Sequence, residues 1–287
     1  IKNNEFPILM GKKVLTNNVI SELIWFLKGK TNINFLHKYN NHIWDDDAYR
    51  YYRELGGSLD FEMWLENIGK PLIFECENME YHALSVNYMY GDCRKIYGHQ
   101  WRNQNGQVDQ IRLIFNLIEK PFSRYHIVDA WNWKDSINHE QALPACHTFF
   151  QCNVRQIKDI KYLDLSMWQR SCDMFLGVPY NLLSYGILHR ILCRITGYKL
   201  GNFVWHGADC HIYENQIDAV YEYLHRVDNK LPRNEAQCVI STRPFENSQG
   251  WANVINLISV EDISIINYNP LSYIKAPLST GVNKYKS

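Results

Sequence analysis

Tyr162-Leu163-Asp164-Leu165-Ser166-Met167-Trp168-Gln169-Arg170-Ser171-Cys172-Asp173 alternates Leu163, Leu165 and Met167 with Tyr162, Asp164 and Ser166, then runs into a guanidinium, a hydroxyl and a carboxylate. Period-two alternation is the pattern of a strand with one buried face, so reactive side chains sit at the end of a rigid element. Shortly upstream, Pro144-Ala145-Cys146-His147 leads into a second strand-like segment, Thr148 to Val154. A thiol, a guanidinium and a carboxylate at the ends of two strands are the ingredients of a nucleophilic site that holds an anionic substrate.

Outward from this pair, Tyr125-His126-Ile127-Val128 reads as a further strand, and Asp209-Cys210-His211-Ile212-Tyr213 as another, with Asp209, His211 and Tyr213 on one side. Between Pro179 and Gly197, the residues Leu182, Leu183, Ile187, Leu188, Ile191, Leu192 and Ile195 form the broad apolar face of a helix. A second helix runs from Asn17 to Gly29, with Asn17 or Asn18 able to cap its start and Gly29 closing it. Segment 51–90 is aromatic and irregular, broken at Gly56-Gly57, and reads as helices and loops around the site entrance. The core proper is expected to begin near Tyr97. The class is α+β, in one domain over residues 1–287.

Thirty basic residues balance thirty acidic ones, so no overall field draws in nucleic acid or an anionic membrane. Any bound anion must be held by local arginines. Eight cysteines show no C-x-x-C pair and no metal-ligand spacing, and they read as reduced thiols in a cytoplasmic compartment, a host's cytoplasm if the source is viral. No metal is expected. No apolar run approaches the roughly 18 residues that cross a bilayer, and no secretory leader is expected. The chain begins at Ile1 without a methionine, so an N-terminal piece is expected to be missing.

Cys146 is either a nucleophile or a small buried hydrophobe. A free thiol titrates near 8.5, and a cation that lowers this by about one unit raises the thiolate at pH 7 to roughly a quarter; Arg170 is the candidate cation. Glu22 has Val19, Trp25 and Phe26 at helical spacing beside it, which makes it either a carboxyl of raised pKa that relays protons or a boundary residue whose head reaches water. Asn181 offers donor and acceptor on one rigid group for the edge of a pyrimidine, or else caps a helix. His211 and Tyr213 are placed to hold a sugar hydroxyl, or are satisfied core polar residues.

These residues carry a resemblance that runs almost end to end. Phe6-Pro7, Glu22-Leu23 with Trp25-Phe26-Leu27, Gly29 to Leu36, Ile43-Trp44-Asp45, Tyr97-Gly98 with Gln100-Trp101-Arg102, and Ala130-Trp131-Asn132 all match the thymidylate synthase family. So do Leu143 to His147, Gln169 to Gly177, Pro179 with Asn181, Asp209, His211 and Tyr213, and Ile274-Lys275-Ala276-Pro277. The chain therefore resembles enzymes that add a one-carbon unit from 5,10-methylenetetrahydrofolate to C5 of dUMP.

The resemblance implies a large twisted mixed β-sheet covered by helices, and a homodimer formed through that sheet. It implies that Cys146 attacks C6 of the uracil, and that Arg170 and Ser171 bind phosphate while Arg170 keeps the thiol ionised. Asn181 would read the base with Gln169 on the same substrate, His147 would join Cys146 among the catalytic residues, and His211 with Tyr213 would hold the 3′-hydroxyl. Glu22, Tyr97 and a water would move protons. Asp173, Ile43, Trp44, Leu176, Gly177, Tyr180 and Ala276 would hold the folate co-substrate, and Arg124 would reach the phosphate of the neighbouring subunit. No membrane and no nucleic acid partner is implied.

The departures from the family pattern cluster around folate and phosphate. The glycine- and threonine-rich phosphate loop would lie before Ile1, and two adjacent arginines are reduced to Arg124-Tyr125. Met10-Gly11-Lys12-Lys13 stands where Thr-Thr-Lys-Arg is usual, Asp47 replaces a tryptophan that walls the folate, and a tail extends over residues 278–287. Asp47 and the tail favour entry of water, which would give 5-hydroxymethyl-dUMP, as in phage nucleotide hydroxymethylases; retained Trp44 favours dTMP. Asn181 argues for uracil, because the cytosine-using relatives carry aspartate there. A remoter alternative is a nucleotide-binding relative without catalysis. A DNA cytosine methyltransferase would need a glycine-rich loop and a basic cleft, neither of which is visible.

Overall fold

The alternating stretch is the middle of a mixed sheet. The computed structural model describes residues 5–72, 88–229, 231–246 and 251–279. Strands β1 (Ile127–Asp129), β2 (His147–Ile157), β3 (Ile160–Asp173) and β4 (Lys199–His211) lie in that spatial order. The pairs β1/β2 and β2/β3 are antiparallel, and β3/β4 is parallel. Antiparallel neighbours need only a tight turn, and Ile157 pairs with Ile160 across Lys158-Asp159, where Lys158 has φ 54°. A parallel neighbour needs a crossover, which the chain supplies as a long helix between β3 and β4.

The helices that position the site are α1 (Thr16–Leu27), α2 (Asp45–Glu54), α3 (Tyr97–Asn103) and α4 (Gly177–Thr196). Helix α4 packs on β3, on β4 and on α1. Leu163, Leu165 and Met167 from β3 are wholly buried, as are Leu183, Ile187, Leu188 and Ile191 from α4. At about 1.5–3 kcal/mol for each large side chain taken from water, this seam is the main force holding β3 in place.

Two expectations need correction. The N-cap of α1 is Leu15, with no side-chain cap, and Asn17 and Asn18 lie inside the helix. A side chain within the first turn no longer points back at the free N–H groups, and Asn18 instead accepts from Ser21 and Asn41 through its carbonyl. The core also begins well before Tyr97. Tyr51, Tyr52 and Trp64 are buried in the same cluster as Phe6 and α1, because the aromatic run stacks on itself, with Tyr49 and Trp64 centroids 5.2 Å apart. Residues 73–87 of the aromatic 51–90 segment lie outside the described residues, as do 280–287 of the tail. Gly29 closes α1 as expected, at φ +64°, where an added Cβ would meet the Cβ of Arg102 at 2.8 Å.

The sheet face away from α4 carries an aromatic row. Phe149, Trp168 and His206 stack across three strands at 4.4 Å spacing, and Val204 and Ile127 on the same sheet are exposed.

Candidate active site

The regular pairing of β2 with β3 slips between His147 and Phe149. Such a bulge bends the strand and re-aims the residue before it, and here that residue is Cys146. Its carbonyl accepts from Arg170 N at 2.8 Å, and its N–H donates to the Tyr97 hydroxyl at 2.6 Å. Main-chain bonds therefore fix the thiol between two strand ends and α3.

Around it opens a cleft of about 460 Å³. Glu22, Ile43, Trp44, Tyr97, Cys146, His147, Gln169, Arg170, Ser171, Asp173, Leu176, Gly177, Tyr180, Asn181, His211, Tyr213 and Ala276 line it. Every site residue named from the sequence is among them except Arg124, which is exposed before β1, its carbonyl accepting from Gln151. Asp209 stands outside the lining, its carbonyl accepting from His211 Nδ1 at 3.2 Å.

Burial pushes the Cys146 thiol above its ordinary value, and Arg170 pulls it back only in part. Desolvation thus outweighs the pull of one guanidinium at this thiol. Arg170 is held by the carbonyls of Ala145 (Nε, 2.8 Å) and Pro144 (Nη2, 3.0 Å) and lies over the Trp131 ring. It is exposed at the strand end, where an anion can approach.

His147 is buried, exchanges a hydrogen bond with Tyr185 through Nδ1 at 2.9 Å, and stacks on Tyr97 at 4.1 Å. Burial lowers its pKa to about 3, so the ring stays neutral and bonded away from the thiol. Burial likewise holds Tyr97 far above the ordinary phenol range. A neutral phenol next to the nucleophile is a proton donor, not an anionic base.

Glu22 lies opposite, its carboxyl accepting the Trp44 indole N–H at 2.6 Å. Burial raises its pKa to about 7, with the indole bond acting the other way. A carboxyl with such a pKa can both give and take a proton near neutral pH. Gln169 ties the remaining polar groups together, donating to Asn181 Oδ1 at 2.9 Å and accepting from Trp205 at 3.0 Å. Asn181 lies inside α4, not at its cap, and with one Oδ1 lone pair engaged it keeps its amide donors and a further acceptor.

Asp173 accepts from Phe175 and Leu176 N–H, both at 3.0 Å, and from Gln216 at 3.1 Å. No motif or periodicity points to Gln216. It is buried behind Asp173, and its Oε1 has no partner among the described residues. Lys12, read only as a departure, is also buried, and its ammonium donates to the Phe175 carbonyl below the same turn. Burial lowers its pKa to about 8. Asp47 and Arg50 line the cleft as an ion pair at 2.7 Å, with burial raising Asp47 to about 6. Leu143, Tyr273, Leu278 and Ser279 complete the lining; of these, Leu143 lies in a block quoted for the resemblance and Leu278 and Ser279 in the tail, while Tyr273 carries no sequence signal.

Trp44, Leu143, Leu176, Tyr180, Tyr273 and Ala276 give apolar walls, and Asp173 places a carboxylate between them. That donor set fits a flat bicyclic heterocycle with N–H groups at one edge, as a pterin has.

No described helix is long and apolar enough to cross a membrane. A family profile described as Thymidylate synthase matches residues 1–280. The chain is 36% identical over 290 residues to a thymidylate synthase of Listeria monocytogenes serotype 4b, covering 96% of this chain and 87% of that relative. It is similarly 36% identical to a thymidylate synthase of Listeria innocua, with the same coverage. That family makes dTMP from dUMP and 5,10-methylenetetrahydrofolate. The match runs through the strand ends and turns that build the cleft, and the chain belongs to the thymidylate synthase family, the pyrimidine nucleotide C5 methyltransferases.

Proposed function

We propose that this chain converts dUMP to dTMP in the cleft around Cys146, and that the residues lining it divide the work as follows. The phosphate sits against Arg170 and Ser171, and the 3′-hydroxyl against His211 and Tyr213. Asn181 donates to the uracil O4 and accepts from N3–H, an arrangement cytosine cannot satisfy. The Cys146 sulfur adds to C6 as thiolate, and its proton leaves through the cleft. C5 then becomes the nucleophile.

The folate co-substrate supplies the methylene group and the hydride. Trp44, Leu176 and Tyr180 stack it over the pyrimidine, and Asp173 accepts hydrogen bonds from its pterin edge. Glu22 in its protonated form donates toward O4 as C5 turns nucleophilic. The C5 proton leaves through ordered water held by Tyr97, and departure of Cys146 as thiolate restores the C5–C6 double bond. The observation that carries this reading is convergence: Cys146, Arg170, Asn181, Asp173 and Glu22 come from four separate chain segments and face one cleft.

A second product is supported by one residue. Asp47 puts a buried carboxylate in the cleft wall. Once the exocyclic methylene has formed at C5, this base activates water toward it and yields 5-hydroxymethyl-dUMP, leaving tetrahydrofolate unoxidised. Incubating the protein with dUMP and methylenetetrahydrofolate, then weighing the nucleotide and following dihydrofolate absorbance, separates the outcomes. A methylated nucleotide with stoichiometric dihydrofolate supports dTMP formation; no product with dUMP still bound overturns both.

The dimer is proposed on the aromatic sheet face. Phe149, Trp168 and His206 present stacked rings with Val204 and Ile127 exposed beside them, and pairing this face about a two-fold axis buries it. Arg124, outside its own cleft, then serves the partner's phosphate site.

A further inference from the structure

We propose that His37, His42 and Asp45 form a site for one divalent transition ion of the zinc class, on the outer side of the segment that presents Trp44 to the cleft. One ligand atom from each of the three residues lies within 4.8 Å of the other two. Asp45 Oδ1 is 2.7 Å from His37 Nε2, and Oδ2 is 2.8 Å from His42 Nδ1. The two imidazole centroids are 4.6 Å apart. Zinc takes imidazole nitrogen and carboxylate oxygen at about 2.0–2.2 Å, so ligand atoms around it sit roughly 3.3 Å from one another. Two histidines and a carboxylate are a donor set that borderline cations prefer over calcium or magnesium.

The scaffold is rigid. His37 ends the short helix Asn34–His37, and Asp45 begins α2. Between them Asn41 is fully buried, donating to the Asn18 carbonyl at 3.0 Å and to Ser21 at 2.9 Å, both on α1. Asp45 is 7% exposed, whereas the His42 side chain is 54% exposed, so one side of the cluster opens to solvent and leaves a coordination position for water.

The proton balance closes within each ring. A carboxylate only accepts, so the nitrogens facing Asp45 carry the protons when no ion is bound. Binding moves each proton to the other nitrogen of the same ring. For His42 that nitrogen, Nε2, already lies 3.3 Å from Asn40 Oδ1, an outer-shell acceptor for the ligand tautomer. The bound ion ties His42 and Asp45 to His37, and with them the intervening Ile43 and Trp44. The absence of a metal signal in the cysteine spacing does not bear on this site, which uses none.

The test titrates zinc chloride calorimetrically into chelator-stripped, tag-free protein carrying Cys146→Ser, so that the cleft thiol does not compete. One equivalent should bind, at least tenfold more weakly after His42→Ala or His37→Ala. Zinc should raise the melting temperature of the parent and leave that of His42→Ala unchanged. Because His42 is half in water, His42→Ala should melt like the parent when metal-free, which separates ligation from misfolding. Cobalt(II) should give visible bands without thiolate charge-transfer absorption. Equal zinc affinity with and without His42, or a cobalt–thiolate band, overturns the assignment.

Discussion

The Trp44 indole donates to the Glu22 carboxyl at 2.6 Å, joining an aromatic wall of the cleft to its buried acid. Glu22 has its pKa raised from 4.5 to about 7 by burial, with the indole bond opposing the rise. A carboxyl raised on folding stabilises fully below its unfolded pKa and loses that contribution as pH rises through its folded one. Unfolding measured from pH 5 to 8 should show the wild type losing ~2 kcal/mol relative to Glu22→Gln, after allowance for cleft water. Trp44→Phe should move the Glu22-dependent limb of the kcat profile to higher pH. Glu22→Gln should lower kcat by about 10²- to 10⁴-fold.

Arg170 is the cation that offsets burial of the Cys146 thiol. Alkylation of Cys146 at pH 7 should be slow in the free protein, and roughly threefold to tenfold slower in Arg170→Ala. Cys146→Ser should lose at least about 10³-fold in turnover while keeping most of its affinity for dUMP. Iodoacetamide kinetics across pH and calorimetry with dUMP give the two readouts.

Asp47 titrates near 6, raised by burial against the pull of Arg50. As a base it works only when ionised, so any hydroxymethylated share of product should grow as pH rises through 6. Asp47→Trp, by displacing water from the wall, should reduce that share severalfold. Mass analysis of the nucleotide from pH 5 to 8 in both proteins checks the trend.

Arg124 is exposed and lies outside the cleft of its own chain. If it completes the partner's site, Arg124→Ala and Cys146→Ser are each inactive alone but complement each other when mixed. Random re-pairing at equal amounts gives mixed dimers with one intact site in half the population, about a quarter of wild-type activity. Activity of the mixture at the level of the separate variants counts against a shared site.

The sheet and α4 were legible because β3 alternates strictly and α4 repeats its apolar residues at helical spacing, so period alone told which face is buried. Cys146, Arg170 and Asp173 were legible because they end such elements. Gln216 and Lys12 were not, since each reaches the Asp173 turn across more than forty residues of chain and neither sits in a periodic stretch. The aromatic run around Tyr51 misled for a related reason. Rings that pack on one another need no amphipathic period, so a buried cluster was read as helices and loops outside the core.

The turn at the start of β2 sets the Cys146 sulfur back in the cleft wall, where burial holds its pKa above the ordinary thiol value. Oxidants consume thiolates far faster than thiols, so peroxide should inactivate the protein more slowly than it would a surface thiol beside the same cation. Such a group should outlast an ever-ready anion through long intervals between turnovers.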